Sequence, residues 1–506
     1  MKPIFMKISD SFINARFRPQ FGPAVRWALI GLLLLLLLCA LSCSSRTAGK
    51  SASALYTPLE TSQFQERTTA EERSEFLHAL AQYPSERFSV RLQTIGKSVE
   101  NRPIEALLIQ PRRPAGDTAA EPLRILLLGA QHGSEISGCE ALLAFAAELT
   151  TGLERKDPAL PPALNPDRPA MTFLIVPAVN PDGIANKRRV NADGINLSTD
   201  YGALRAPESI AVNRLLMDFT PHVVLDIHES AILKKKSLGA EGWLTDFEAQ
   251  FECANNPNVN NALQTFTFDV MLPEVLEKVN ARGLHANRYI GEITSTGQVI
   301  RHGGLSAHNF RNKAGIMGAA SFLLENRLDP STKTYPTPRN IRVRFRKQLL
   351  CIHTFVSVCQ AHAGRIISLT ENARRSAPTQ RVWLKPEYGP LKDQTAIDIA
   401  LCRRDSNERV MHHFEYHGDI LSGPAFTPPT RYLFLSHTDF FKKWLSRQGI
   451  GFTDCPDKYK RPCIAAAVAD QNGQLLPLFL EPASKSAILE RLPFDAAELE
   501  IVGDSK

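Results

Sequence analysis

His132 and Glu135 have two residues between them in the stretch Gln131-His132-Gly133-Ser134-Glu135. An imidazole and a carboxylate at that spacing can reach one cation from a single loop, and the glycine between them lets the backbone bend. Zinc accepts both donor types, and a catalytic zinc takes three protein ligands and keeps one position open. Taken alone, the pair fits two side chains on a surface loop equally well, so the test is whether a third ligand and a base exist. His228 closes the apolar, β-branched run of Pro221–Ser230 (PHVVLDIHES), with Asp226 two residues before it as a partner for the imidazole. Glu325 ends a second apolar run, Ala319–Leu324, where a buried acid is costly unless it is paired or used. Singly, His228 also fits a hydrogen-bonded histidine at a strand end, and Glu325 an ion pair with Arg327. Together they make a set: His132, Glu135 and His228 as ligands of one zinc, and Glu325 as general base toward a metal-activated water.

The elements needed to hold these groups are legible around them. Leu123–Ala130 predicts a central strand, Cys139–Thr150 a helix, Met171–Ala178 and Val223–Ile227 further strands, and Arg342–His362 a helix packing on the sheet. Phe88–Leu108 predicts edge strands, and the Pro-rich Asp157–Arg168 a surface loop. Strands alternating with helical stretches give an α/β fold with a mixed, mostly parallel sheet flanked by helices, whose ligands gather at the carboxyl ends of the strands. Residues 86–365 are ample for that core.

Five signals in order, HGSE, NPDG at Asn180–Gly183, RVNADGINL at Arg189–Leu197, DIHES and the strand-ending LLEN, resemble the zinc carboxypeptidases of the M14, carboxypeptidase A-like superfamily over roughly Ser89–Arg327. The resemblance implies peptide hydrolysis with Arg189 polarising the scissile carbonyl, a role suited to a guanidinium aimed at a developing oxyanion. Arg188 competes for that role, and a surface ion pair accounts for either. The family's Asn-Arg pair, whose arginine grips the substrate's terminal carboxylate, is replaced here by Ser198-Thr199. Ser198 is then a candidate substrate contact. Arg311, ahead of Arg205 and Arg301, is the candidate for the missing carboxylate grip. The family's active-site tyrosine has no clear counterpart, with Phe310 near that position and Tyr289 well before it. His285, His302 and His308 share the Gly283–Lys313 loop and read as surface or hydrogen-bonded histidines.

The function expected is a zinc-dependent peptidase of metallocarboxypeptidase type. The alternative in the same chemistry is an N-acyl amino acid deacylase of the succinylglutamate desuccinylase and aspartoacylase type. A non-catalytic cell-surface binding protein is the alternative in a different class. The partner implied is a peptide or N-acyl amino acid substrate.

Residues 1–42 have a basic start, an apolar Ala28–Leu41 with seven consecutive leucines, and Ser42 before Cys43, the three-part pattern of an export signal. The Ser-Cys step resembles the lipoprotein cleavage box, which implies lipid attachment at Cys43 on the periplasmic face of a bacterial membrane, with an uncleaved anchor as the other reading. Removing that leader takes away five cations and Asp10, so the formal +7 falls to +3 and no nucleic-acid partner is inferred. Residues 43–85 read as a polar tether with a short helix at Ala70–Ala81, and Ser368–Arg381 as a link to a small β-rich region over 366–506 with one helix near Thr438–Arg447. Cys455 and Cys463, with only a short loop between them, are the first candidates for a disulfide. Oligomeric state is not set by the sequence.

Overall fold

The computed structural model describes residues 56–504 except 113–120, 156, 159, 163, 165–169, 231–237, 329–340, 377–380, 407 and 456–461, so the leader and the Lys234–Lys236 run lie outside the described residues. Nine strands carry the argument: β1 (Phe88–Lys97), β2 (Pro103–Pro111), β3 (Leu123–Gly129), β4 (Met171–Val176), β5 (Val223–Ser230), β6 (Trp243–Thr245), β7 (Ala249–Cys253), β8 (Ala286–Arg288) and β9 (Ala320–Arg327). All but β6 form one eight-stranded sheet in the order β1-β2-β4-β3-β5-β9-β7-β8. Its centre, β4-β3-β5-β9, is entirely parallel, while β1, β2 and β7 join antiparallel.

The central strands are buried along nearly their whole length, as continuous apolar runs require when both faces are covered. One face packs under the Ser137–Thr151 and Ile341–Ala361 helices, the other under Pro207–Phe219. The Pro207–Phe219 helix starts with proline at its first position and Glu208 in the first turn, both suited to a helix start.

Two stretches read as linking are instead packed. Within the expected tether, Thr57 and Thr69 each start a helix through a capping box, and Leu59, Phe76, Leu77 and Leu80 enter the main core. Within the expected link Ser368–Arg381, the helix Ala363–Arg375 continues to Arg375, burying Ile366 just before the link and Thr370 inside it. Both stretches are polar on average, but each places a few apolar residues at helical spacing, and that narrow stripe suffices to dock them.

The C-terminal region is built of small sheets and carries the Thr438–Gln448 helix. It is not closed on itself. Its aromatic cluster, with Phe434, Phe441, Trp444 and Phe479, shares a core with Ala203, Ala254, Val259, Ala307 and Ile316 of the large sheet's loops. Strand Ala396–Arg403 also pairs with β6. The described residues belong to one compact unit. Cys455 and Cys463 are joined by a disulfide, and Cys139, Cys253, Cys351, Cys359 and Cys402 are free thiols. Among the described residues, no helix is long and apolar enough to cross a membrane.

Candidate active site

Two turns and two strand ends build the site. β3 ends at Gly129, and Ala130 then adopts a left-handed backbone (φ 52°), a costly conformation for a residue with a Cβ, which swings the chain into His132. Gly133 meets the NPDG turn so closely that a Cβ there would lie 2.0 Å from the Gly183 carbonyl carbon. The amide of Asn180 donates to the Gln131 carbonyl (3.2 Å), and its Oδ1 caps the short Pro181–Ala185 helix by accepting from Gly183 N (2.8 Å). HGSE and NPDG are therefore two halves of one packed loop pair. On the other side, β5 and β9 run in parallel register with His228 opposite Glu325.

The three expected ligands converge. His132 Nδ1 lies 2.9 Å from Glu135 Oε1, His228 Nδ1 2.9 Å from Glu135 Oε2, and the two Nδ1 atoms are 3.0 Å apart. All three side chains are buried, and they are the one His/Cys/Asp/Glu group of metal-binding geometry among the described residues. Their rear atoms are occupied. His132 Nε2 reaches Asn196 Oδ1 (3.0 Å) and Ser198 Oγ (2.9 Å), and His228 Nε2 reaches Asp226 Oδ2 (3.0 Å). With both Nε2 atoms donating outward, each Nδ1 turns a lone pair toward the other and toward an acceptor-only carboxylate. Three facing acceptors are satisfied together by a cation, and two imidazoles with one carboxylate suit zinc. Burial alone raises the Glu135 carboxyl, but the two imidazoles overcome it and hold it well below the usual range. Burial lowers His132. For His228 burial is outweighed by Asp226 and Glu135, and its proton affinity rises.

Glu325 is half-buried, and its Oε2 accepts from Ser230 Oγ (2.8 Å). Burial and the nearby Glu135 charge push its carboxyl up to about 7, against the pull of His228. Of the two adjacent arginines, Arg189 reaches the site, with Nη1 2.8 Å from Glu135 Oε1 and more than half its side chain exposed toward solvent.

Ser198 is placed differently from expectation. Its hydroxyl is committed to His132 Nε2 and Asn196 Oδ1, behind the metal-facing imidazole, so it positions a ligand. Arg205 is spent on Asp200. Arg311 is buried, with Nη2 donating to Asn255 Oδ1 (2.9 Å) and the Gly304 carbonyl (3.0 Å), while its Nε has no hydrogen-bond partner. A Cβ on Gly303 would touch both the Arg311 guanidinium and the Tyr289 ring, so those two groups flank the same glycine.

Phe310 is a core residue whose ring packs tilted against Tyr201. Tyr289 is the aromatic group at the site. Burial raises its phenol, and the charges of Glu325, Arg311, Arg189 and Glu135 all act on it. The three-residue β8 beside β7 carries Tyr289 there, too short to be seen in the sequence. Asn255, in a stretch that reads only as loop, is a buried clamp joining Arg311, the Gly303 carbonyl and Tyr388. His302 is buried against Tyr416 and the Tyr289 carbonyl, His308 stacks on Phe479, and His285 pairs with Asp246.

The His132–Glu135–His228 group sits at the carboxyl ends of an α/β sheet, and comparison with known proteins finds similar chains. Residues 74–212 match the zinc carboxypeptidase family, Peptidase_M14. Over that stretch, a little over a quarter of its length, the chain is similar to the family. That match contains His132, Glu135 and Arg189, and the fold adds His228 and Glu325 from beyond it. Carboxypeptidase 2 of Trichophyton tonsurans is 26% identical over 215 residues, 41% of this chain and 38% of that protein. Carboxypeptidase D of Mus musculus is 36% identical over 109 residues, 19% of this chain and 8% of that protein. The chain thus spans about two fifths of the length of the first of these. A carboxypeptidase A from Helicoverpa armigera aligns in structure with a TM-score of 0.43 at 17% identity, over 60% of this chain and 75% of that one.

Proposed function

We propose that this protein is a zinc-dependent carboxypeptidase-type peptidase, holding one zinc through His132, Glu135 and His228. The observation that carries the reading is the trio of facing acceptors with Glu325 one strand away in register. Zinc there supplies Lewis acidity toward the scissile carbonyl and toward water. Glu325, steadied by Ser230, takes the proton of the attacking water on its free oxygen and passes it to the leaving amine nitrogen. Arg189 donates to the developing oxyanion. Arg311 grips a substrate carboxylate in place of the arginine that Thr199 replaces, with the Tyr289 ring beside it across Gly303. The basic, apolar N-terminus ending at Cys43 supports an exported enzyme tethered by lipid to the periplasmic face of a bacterial membrane.

The test is an assay of the purified protein on peptides with free carboxyl termini, on the same peptides amidated, and on N-acyl amino acids. Hydrolysis of the free-terminus peptides, lost on chelation and restored by zinc, is expected. Cleavage of N-acyl amino acids alone makes it a deacylase. Zinc binding without hydrolysis of any of the three makes it a binding protein.

A further inference from the structure

Behind His228 runs a chain of buried groups that the proposed reaction does not use. His228 Nε2 donates to Asp226 Oδ2 (3.0 Å). The other oxygen of Asp226 accepts from Gln131 Nε2 (2.7 Å), and Gln131 Oε1 accepts from the Tyr201 hydroxyl (2.7 Å). Tyr201 and Gln131 are fully buried, and Asp226 nearly so. Every group has one available direction. A tyrosine hydroxyl must donate to the amide oxygen, which turns the amide nitrogen to Asp226 and leaves the second carboxylate oxygen for an imidazole N–H. That arrangement fixes the tautomer with the proton on Nε2 and the lone pair of Nδ1 toward the metal position.

The outer end of the chain is tied to the C-terminal region. The Tyr201 carbonyl accepts from Lys313 Nζ (2.9 Å) and from Gln448 Nε2 (3.3 Å). Gln448 also donates to the Gly202 carbonyl (2.7 Å) and accepts from Lys313 Nζ (2.5 Å), and Trp444 Nε1 donates to the same Gly202 carbonyl (3.0 Å). Gln448 and Trp444 both lie on the Thr438–Gln448 helix. Gly202 has no room to shift, since a Cβ there would lie 2.2 Å from the His308 ring.

We infer that Tyr201, Gln131 and Asp226 are positioning residues for the metal ligand His228, and that the Thr438–Gln448 helix anchors them, so that the C-terminal region sets zinc affinity from a distance. The inference rests on the zinc reading above. Hydrogen-bonded partners behind a metal ligand are worth about 10- to 100-fold in metal affinity.

The experiment measures zinc dissociation constants of the full chain by competition with a chromophoric chelator. Tyr201→Phe deletes the first donor and keeps the ring. Gln448→Leu cuts the anchor. Leu77→Ala, in the Ala70–Gln82 helix, is a control that costs stability without touching the chain. Expected are about 10-fold or greater weakening in Tyr201→Phe, a smaller weakening of the same sign in Gln448→Leu, and wild-type affinity in Leu77→Ala despite its lower Tm. Wild-type zinc affinity in both Tyr201→Phe and Gln448→Leu overturns the proposal. So does an equal weakening in Leu77→Ala, which reduces the effect to general destabilisation. A wild-type chain that takes up no zinc overturns the metal reading beneath it, and the reference measurement tells that result apart from the others.

Discussion

Glu325 stands directly across the β5–β9 ladder from His228, in parallel register. Neighbours in register project from the same face, so the proposed base and a proposed ligand are set side by side by backbone pairing alone. Glu325→Gln keeps the shape and an acceptor for Ser230 but removes the proton acceptor. Turnover falls by roughly 100-fold or more, while zinc content, measured by atomic spectroscopy, stays near that of the wild type. Undiminished turnover removes Glu325 from the mechanism.

The contact between HGSE and NPDG gives a second prediction. A methyl group at Gly133 would overlap the Gly183 backbone, and backbone cannot move aside as a flexible side chain does. Gly133→Ala is expected to cost about 3 kcal/mol or more and to weaken zinc binding, because the clash lies between His132 and Glu135. Ser134→Ala, at the exposed neighbour, stays within about 0.5 kcal/mol of wild type. Thermal melts with and without zinc check both.

What could be read from the sequence followed the strength of local signals. Leu123–Gly129 and Val223–Ser230 are long apolar runs at the centre of the sheet, and their ends carry the ligands, so both strands and His132, Glu135, His228 and Glu325 were legible. Arg189 was legible only as one of two adjacent arginines, because nothing local tells which guanidinium turns inward. The direction of Ser198 was not legible for a related reason: its place in the motif suggested substrate, and the 3-10 turn Leu197–Thr199 places its hydroxyl on His132. Tyr289 was visible only as a tyrosine well before the expected position, and Asn255 had no signal. One follows a three-residue strand and the other sits in an asparagine-rich turn, and both acquire meaning only through β7, β8 and the C-terminal Tyr388. The packing of residues 57–82 and 363–375 was hidden by average polarity, which masks a one-sided apolar stripe.

Arg311 yields a third prediction. Only part of its guanidinium is committed, to Asn255 and the Gly304 carbonyl, and the Tyr289 ring flanks it across Gly303. A charge-assisted hydrogen bond to a substrate carboxylate is worth about 1.5–3 kcal/mol. Arg311→Gln should therefore raise KM for peptides with a free carboxyl terminus by roughly 10- to 100-fold and leave amidated peptides little changed. If kcat falls alike for both substrates with KM unmoved, Arg311 serves the fold and another group holds the carboxylate.

The last prediction concerns acid stability and lies far from the metal. His222 is fully buried where β5 begins, its Nδ1 accepts from Arg124 N (3.0 Å), and its Nε2 has no hydrogen-bond partner. Burial, with help from the Arg124 and Arg374 guanidinium groups, lowers its pKa to about 3. In the unfolded chain the value is about 6.5, so between these two limits the unfolded state binds the extra proton. The contribution of His222 to stability is complete above about pH 6.5 and is lost progressively as pH falls toward about 3. Glu140 runs in the opposite sense, since burial raises it to about 7 and its neutral form favours the fold as pH falls. The raw pH profile therefore mixes both signs, and the informative quantity is the difference between wild type and a variant. His222→Asn keeps an acceptor for Arg124 N without a titrating group. Urea unfolding at about pH 7.5 and about pH 5 should show wild type losing more stability than His222→Asn over that interval. Parallel losses in the two proteins would falsify the assignment of the acid-sensitive step to His222.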